Sequence, residues 1–362
     1  MDEIKVPMAK PVFGDDEING IMKVVNSGWL GQGKVTIDFE SKLSDYFSAE
    51  VTVVNNGSSA IMCALLALGV KPGDKIAVPD FTFISTSSVP KILGASIIPV
   101  DIDQKTLNMN INSLEKILEE NDIKVVIFVD IAGLPNDIDS LVALSKKYNF
   151  ILLEDAAEAF GSEYKNKRLG SFEHTSIFSF HIAKAITTVE GGCITTKNED
   201  LLRRIKAIRD VGRYGKGYIH NLVGSNFRIT DIQSIIGINQ LEKSEMFITK
   251  RMEIAKKFKT EIKNLEFQNI PNYVSRHSYM LFFALTKDSI KRDQYVEKLR
   301  DNGIDARLAF YPISKQPCNP ELEQYDCPNA SEIYERSFTL PLYNSLKDSE
   351  IELIIDTCNS LK

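Results

Sequence analysis

Short apolar runs alternate with amphipathic stretches between residues 50 and 155, and this alternation limits the possible folds more than any other feature of the chain. The apolar runs predict strands at 51–54, 75–78, 96–100, 125–129 and 150–153. The stretches between them predict helices at 58–68, 84–93, 111–120 and 137–147. Strands that alternate with helices of this length form βαβ units, so we expect a mostly parallel sheet with helices on both faces. Further strands of the same sheet are predicted at 176–180 and 193–196.

The second half of the chain predicts a smaller domain. Helical character dominates from residue 200 to about residue 263, and 233–257 is predicted as one long helix that joins two lobes. After Pro271 the pattern restarts with a strand at 279–285 and a helix at 292–302, and two short helices finish the chain. We therefore predict an α/β fold with a large, mixed, mostly parallel sheet domain over residues 1–245 and a smaller C-terminal α+β domain over residues 246–362.

The composition is that of an ordinary globular protein and excludes several classes. The chain has 362 residues, 43 Lys and Arg against 49 Asp and Glu, and a net charge of −6, which argues against disorder, a collagen-like repeat and a polybasic nucleic-acid binder. No run of about 18 apolar residues occurs, and the start of the chain, MDEIKVPMAKP, lacks the apolar segment of a signal peptide. The five cysteines are scattered without a CxxC pair, so neither a disulfide framework nor a metal site is predicted. We expect a cytoplasmic protein without a membrane span or a nucleic-acid partner.

Residues that follow the strands are the candidates for chemistry, because ligands of open α/β sheets bind outside the carboxyl ends of the strands. The first such turn, Asn55-Asn56-Gly57-Ser58-Ser59, leads directly into a predicted helix. Glycine permits close approach of the backbone, and the free amides of a helix N-terminus form a seat for an anion together with the serine hydroxyls. The same turn also fits an ordinary helix cap, and it matches neither a GxGxxG dinucleotide turn nor a GxxxxGK[ST] phosphate loop.

Three further turns hold an aromatic ring, an acid and a lysine. Phe83 follows the second strand and either belongs to the core or stacks on a flat ring. Asp155 follows an apolar strand, where a carboxylate is costly unless it is paired; it either holds a proton on a pyridine nitrogen, binds a metal or caps a helix. Lys184 lies in a small, apolar and hydroxyl-rich stretch. Burial there would disfavour the ammonium form and give a Schiff-base nucleophile, whereas an exposed lysine would be a solvated charge.

Together these features predict a site for pyridoxal 5'-phosphate (PLP). The anion seat, the aromatic ring, the strand-end acid and the lysine match the phosphate, the ring face, the ring nitrogen and the aldehyde of this cofactor, in chain order. Each feature has a structural alternative when it stands alone, but their combination on one edge of the sheet favours the cofactor.

Six stretches carry a resemblance to a known family: SGWLGQG (27–33), NNGSSA (55–60), PDFTF (79–83), EDAAEAFGS (154–162), SFHIAKAITTVEGG (179–192) and GSNFRITDIQSIIGINQLEK (224–243). In order and spacing they resemble the sugar-nucleotide aminotransferases of the DegT/StrS type, and the resemblance runs from about residue 5 to the end of the chain. It implies the aspartate-aminotransferase-like architecture of fold-type I and a homodimer whose subunits share the active sites.

The resemblance also implies roles for individual residues. For PLP these are Lys184 as the residue that forms the imine, Asp155 on the pyridinium nitrogen, Phe83 on the ring face, Gly57, Ser58 and Ser179 on the phosphate, Glu158 near the ring hydroxyl, and Asn226 reaching the phosphate from the partner subunit. For the sugar the candidates are Trp29 at the mouth of the site, Asp130, His277, Arg307 and Ser314. Asp130, Ala132, Leu308 and Ser314 depart from the perosamine-type pattern, which bears on the substrate and not on the cofactor chemistry.

The activity that the resemblance implies is transfer of the amino group of L-glutamate to a nucleotide-linked keto sugar. The perosamine-type members favour an NDP-4-keto-6-deoxyhexose, whose product would enter a cell-surface polysaccharide such as O-antigen. A 3-keto or other keto sugar nucleotide and a PLP-dependent sugar dehydratase are the alternatives, although dehydratases of the family carry histidine in place of the lysine. A PLP-bound regulator usually has an added DNA-binding domain and a nicotinamide enzyme a glycine-rich turn, and the sequence offers a pattern for neither.

Overall fold

The computed structural model describes residues 4–215, 217–287 and 289–360. In chain order the strands are β1 (Glu50–Val54), β2 (Lys75–Pro79), β3 (Ser96–Val100), β4 (Val125–Val129), β5 (Ile151–Asp155), β6 (Glu163–Tyr164), β7 (Lys167–Arg168), β8 (Thr175–Ser179), β9 (Gly192–Thr196), β10 (Glu266–Phe267), β11 (Val274–Arg276), β12 (Phe282–Leu285), β13 (Arg307–Leu308) and β14 (Ser337–Leu340). The α-helices are α1 (Asp15–Asn26), α2 (Lys34–Phe47), α3 (Gly57–Ala67), α4 (Ser85–Ile92), α5 (Ile111–Glu120), α6 (Ile138–Tyr148), α7 (Glu199–Arg209), α8 (Asp231–Glu242), α9 (Ser244–Glu261), α10 (Ser289–Asp301), α11 (Pro328–Arg336) and α12 (Asp348–Ser360). Short 3₁₀ turns lie at Ile131–Gly133, Ile313–Lys315 and Pro320–Leu322.

A seven-stranded sheet lies at the centre of the described residues, in the order β1-β9-β8-β5-β4-β2-β3. Neighbours from β8 to β3 run parallel, and β9 runs antiparallel to both β8 and β1. Every residue of β4 is apolar and buried, as expected for a parallel strand that helices cover on both faces. The predicted α/β class with a mixed, mostly parallel sheet is confirmed.

Several helices begin where a short polar side chain satisfies the free backbone amides of the first turn. At the start of α3 the Asn56 side chain accepts a hydrogen bond from the Ser59 amide at 2.7 Å. Asn110 caps α5 in the same way, and Thr230 and Gln233 form a capping box at the start of α8. None of the helices in the described residues is long and apolar enough to cross a membrane.

The prediction of one long helix over 233–257 is wrong. The chain forms α8 and α9 instead, and the break falls at Lys243. The Lys243 ammonium lies 3.0 Å from the carboxylate of Glu17 on α1, and Glu17 is buried. This contact joins segments that are far apart in the chain, so helical periodicity cannot reveal it. The short strand β14 also escapes prediction, since its four residues follow α11 without a turn signal.

A second sheet, in the order β10-β12-β14-β13, lies in the C-terminal part of the chain. Phe258, Phe282 and Phe338 belong to the core that covers it. Val6 belongs to the same core and pairs with Ile304 in an isolated bridge, so the N-terminal segment packs with the C-terminal part. The domain boundary at residue 245 stays a prediction.

Candidate active site

A cavity of about 250 Å³ opens at the carboxyl ends of the central strands. All four turns that the sequence singles out contribute to its wall. The lining residues with functional groups are Asn56, Gly57, Ser58, Thr82, Phe83, Ser85, Asp155, Glu158, Ser179, His181, Lys184 and Glu190. The sheet order explains part of this assembly, since β4, β5 and β8 are parallel neighbours and their carboxyl ends meet at one edge.

The turn after β1 leads directly into α3, at the position that the sequence predicts as an anion seat. Gly57 is the first residue of α3, and a Cβ added to it would stand only 3.0 Å from the Ser179 Cβ. The Ser58 hydroxyl lies 2.8 Å from the Ser85 hydroxyl. The seat therefore combines helix N-terminal amides with serine hydroxyls, a set of donors that suits a phosphate.

Asp155 ends β5 and is only 4% exposed. Its Oδ2 accepts a hydrogen bond from the Thr86 hydroxyl at 2.9 Å, and its Oδ1 accepts one from the Ala157 amide at 3.2 Å. Burial raises the pKa of Asp155 to about 6, against the opposing effect of these two bonds and of Lys184. A buried acid of this kind in a cavity wall is a candidate functional group, and a cation placed beside it would favour its ionised form.

Lys184 lies in the loop between β8 and β9, with 15% of its side chain exposed. Its Nζ lies 3.7 Å from Glu158 Oε1 and 3.9 Å from Met280 Sδ. Glu158 is held in turn by the Ala132 amide, which donates to Oε2 at 2.8 Å. The amine thus stands between an acid and a thioether in the cavity wall, where a small ligand can reach it.

Phe83 is 56% exposed, although it is a large aromatic residue in a cavity wall. Its ring centroid lies 6.3 Å from that of Phe310, with an interplanar angle of 70°. Phe81, two residues earlier, is completely buried, so the same turn sends one ring into the core and the other to the cavity. The exposed ring can stack on a planar ligand.

Four of the predicted sugar contacts lie outside the cavity. Arg307 is on β13 and pairs with Asp305 at 2.7 Å. The other three are buried and hydrogen-bonded inside the protein: Asp130 to Asn136, His277 to the Tyr279 amide, and Ser314 to Asp80. The predicted roles of these four residues as sugar contacts stay predictions.

Trp29 and Asn226 also lie outside the cavity, on the exposed surface. Trp29 is 63% exposed and lines a separate groove of about 720 Å³ together with Arg228. This groove is larger than the cavity, but it contains neither Asp155 nor Lys184, and size alone does not make it the reaction centre. The roles predicted for Trp29 at the mouth and for Asn226 toward a partner subunit stay predictions.

Sequence reasoning missed two hydroxyl groups of the site, those of Ser85 and Thr86. Both lie in the first turn of α4 and belong to the STSS run that follows the PDFTF turn. A hydroxyl-rich helix start directly after a strand is the signal that could have found them. His181, in the same loop as Lys184, is exposed in the cavity wall, with Nε2 3.7 Å from Glu190 Oε1.

Comparisons with known proteins identify the family. The DegT/DnrJ/EryC1/StrS aminotransferase family matches residues 11–359. The GDP-perosamine synthase of Escherichia coli O157:H7 is 33% identical over 357 residues, which cover 98% of this chain and 98% of that protein.

Solved structures show the same relationship. Helicobacter pylori PseC, an aminotransferase involved in the biosynthesis of pseudoaminic acid, has a TM-score of 0.92 at 26% identity, with 98% of both chains covered. Streptococcus pneumoniae Spr1654, assigned as a sugar aminotransferase and solved in a PLP-form, has a TM-score of 0.92 at 26% identity, again with 98% of both chains covered. With its family match over nearly the whole length, this chain belongs to the DegT/DnrJ/EryC1/StrS aminotransferase family and has the fold-type I architecture.

Proposed function

We propose that this chain is a PLP-dependent aminotransferase that moves the amino group of L-glutamate to a nucleotide-linked keto sugar, with an NDP-4-keto-6-deoxyhexose as the first choice. The observation that carries the proposal is the presence of Asp155 and Lys184 in one cavity, beside a seat for a phosphate. Membership in the aminotransferase family supports the chemistry, and the GDP-perosamine synthase relative supports the class of sugar.

The side chains of the cavity fit PLP. The amides at the start of α3, with Ser58 and Ser179, would hold the phosphate. Phe83 would cover one face of the ring, and Glu158 would lie near the ring hydroxyl. Asp155 would pair with the ring nitrogen, whose positive charge would offset the burial that raises the pKa of this acid to about 6.

Lys184 would be both the attachment point of the cofactor and the proton carrier. When bound, PLP withdraws electrons from the α-carbon of the amino donor and so makes its proton acidic. The Lys184 amine would take this proton as a general base and give a proton back as a general acid. Glu158 Oε1, 3.7 Å from Nζ, keeps the amine directed into the cavity. Loss of this one amine would therefore remove the anchor and both proton transfers.

The first experiment is a substrate panel with the purified protein, PLP and L-glutamate. We expect a PLP absorbance band that changes on addition of glutamate, and conversion of one 4-keto-6-deoxy sugar nucleotide to the amino sugar, seen as a change in product mass. Lys184→Ala should abolish both, while Lys197→Ala, a surface lysine that pairs with Glu173, should abolish neither. Amination of 3-keto substrates alone would refute the choice of sugar, and full activity of Lys184→Ala would refute the mechanism.

We further propose a homodimer in which Asn226 completes the phosphate seat of the other subunit. Lys184→Ala and Asn226→Asp should each be inactive. Mixing the two after unfolding and refolding should restore about a quarter of the wild-type activity, because half of the dimers are mixed and each mixed dimer has one intact site. An inactive mixture with mixed dimers present would contradict the shared site, and so would a monomer in light scattering.

A further inference from the structure

Ala132 is a buried alanine in a backbone conformation that alanine rarely adopts. Its φ is +60°, in the left-handed region where residues other than glycine are uncommon. Its amide donates to Glu158 Oε2 at 2.8 Å, and its carbonyl accepts a hydrogen bond from the Met280 amide at 2.9 Å. A strained residue persists only where its surroundings determine it, and such residues cluster at functional sites.

The two residues bonded to Ala132 are also the two that approach the lysine amine. Lys184 Nζ lies 3.7 Å from Glu158 Oε1 and 3.9 Å from Met280 Sδ. One residue, through its amide and its carbonyl, therefore fixes both neighbours of the amine. A displacement of Ala132 would move both neighbours together.

Asp130 holds the loop that contains Ala132. Its Oδ1 accepts hydrogen bonds from the amide and from the side chain of Asn136, each at 2.9 Å. Asn136 Nδ2 also donates to the Val129 carbonyl at 2.7 Å. These bonds tie the end of β4 to residue 136, so the loop is closed around Ala132.

A second buried carboxyl lies on the neighbouring strand, since Glu154 of β5 pairs with Phe128 of β4, two residues before Asp130. Glu154 is completely buried, and His174 Nε2 lies 3.4 Å from its Oε2. Burial, together with the charge of Glu154, raises the pKa of Asp130 well above its ordinary value. Burial would also raise the pKa of Glu154, but His174 lowers it. Burial and the neighbouring charge therefore favour the neutral form of Asp130.

We propose that Asp130 and the loop up to Asn136 form a positioning element for Lys184, in which Ala132 sets where the lysine amine stands in the cavity. Asp130 fixes the loop through its hydrogen bonds from Asn136, the loop fixes Ala132, and Ala132 fixes the neighbours of the amine. The proposal rests on the proposed function only in taking the Lys184 amine as the reacting group.

Two substitutions separate this network from simple filling of the core. Asp130→Asn keeps an acceptor oxygen for the amide and the side chain of Asn136, so it preserves both hydrogen bonds. Asp130→Leu occupies similar space and removes both contacts. Asp101→Asn is the matched control, since Asp101 is also buried, also follows a strand and also accepts backbone hydrogen bonds, at the start of α11.

Each variant is measured in the full chain by two methods. The first is the rate at which an acylating reagent modifies Lys184, read by peptide mass spectrometry, which needs no cofactor. The second is the rate of the glutamate half-reaction in the PLP-loaded protein, read by absorbance. We expect Asp130→Leu to speed the acylation and to slow the half-reaction by roughly ten- to a hundredfold, because small misplacements of reacting groups are costly. Asp130→Asn should stay within about threefold of the wild type, and Asp101→Asn should change neither rate.

The outcomes distinguish the two proposals. Wild-type rates in Asp130→Leu would overturn the positioning role. If Asp130→Leu does not fold, Asn136→Ala decides instead, because it removes the side-chain hydrogen bonds to Asp130 and to the Val129 carbonyl at another position of the same loop. We expect Asn136→Ala to slow the half-reaction about tenfold and to speed the acylation of Lys184, and wild-type rates would overturn the role. Failure of the wild-type protein to take up PLP would refute the proposed function, while the acylation rates would still test this inference.

Discussion

Asp130 and Asp155 lie at the carboxyl ends of two neighbouring parallel strands and are both buried, yet their side chains contact different groups. Val129 is paired with Asp155 across β4 and β5, and both line the cavity. Asp130 follows Val129 by one residue, lies outside the cavity lining, and accepts hydrogen bonds from Asn136 instead. Since successive side chains of a strand point to opposite faces, an offset of one residue separates a candidate cofactor contact from an interior network.

Two more strand-end aspartates extend the comparison. Asp80 follows β2 and accepts hydrogen bonds from the amide and the hydroxyl of Ser314. Asp101 follows β3 and accepts from the Ala330 amide at the start of α11. Both acids bind segments that arrive from the C-terminal part of the chain. A buried acid at the end of a parallel strand can therefore act on a ligand or stabilise the fold. Its hydrogen-bond partners distinguish the two roles.

Replacement of each central aspartate by asparagine should give the largest difference. Asp155→Asn removes the negative charge that is proposed to pair with the ring nitrogen. We expect the glutamate half-reaction to slow by roughly 10²–10³-fold. Asp130→Asn keeps its hydrogen bonds, and we expect a change below about threefold. Stopped-flow absorbance of the PLP-loaded variants measures both rates. Equal losses in the two variants would contradict the division of roles by register.

The stability of the cofactor-free protein should show the cost of keeping Asp155 in the cavity wall. Burial raises the pKa of Asp155 to about 6 in the folded chain, against about 4 when unfolded. The folded state therefore binds the Asp155 proton more tightly than the unfolded state does. The stability that this bound proton contributes is lost as the pH rises from about 4 to about 6. Asp155→Asn should raise the free energy of unfolding by about 3 kcal/mol at pH 7.5 and by little at pH 4. Urea unfolding at the two pH values measures this, and a gain that does not depend on pH would exclude titration of Asp155 as the cause.

The sequence predicts the central sheet closely because each strand is a local pattern. All seven strands predicted between residues 50 and 196 are present, with ends within two residues of the prediction. The prediction for 233–257 fails because the break at Lys243 accompanies a contact with Glu17 on a distant helix. Local periodicity contains no information about such a contact.

The sequence predicts the site residues whose types and order along the chain match the groups of the cofactor. It does not predict on which face of the sheet a residue at a strand end lies. Lys184 and Asp155 are predicted because a lysine and a strand-end acid are distinctive in that order, and the structure places both in the wall of one cavity. Asp130 is predicted as a sugar contact because it departs from the perosamine-type pattern in the turn after β4, and this pattern contains no information about burial. The packed structure buries Asp130 and places Asn136 against it.

Replacement of Thr86 should have a smaller effect, and it tests whether the pKa of Asp155 controls the pH dependence of the reaction. The Thr86 hydroxyl donates to Asp155 Oδ2 at 2.9 Å and lowers the pKa of this acid. Thr86→Val removes the bond with little change of shape, and we expect the acid limb of the pH–rate profile to move up by about one pH unit, the equivalent of one hydrogen bond to a charged group. Thr52→Val is the control, because the buried Thr52 hydroxyl donates to Glu40 instead. A similar shift in both variants would mean that the profile does not report on Asp155.

Replacement of Ser314 should give the smallest effect. It tests whether Asp80, the acid that follows β2, stabilises the fold or acts on a ligand. The Ser314 hydroxyl donates to Asp80 Oδ2 at 2.9 Å, in a place where burial raises the pKa of Asp80 to about 6. Ser314→Ala removes this one bond, while the backbone amide still donates to Oδ1 at 2.8 Å. We expect the free energy of unfolding to fall by about 1 kcal/mol and the KM for the sugar nucleotide to stay unchanged. A raised KM with unaltered stability would instead make Ser314 a substrate contact, and Asp80 would then join Asp155 as an acid that acts on a ligand.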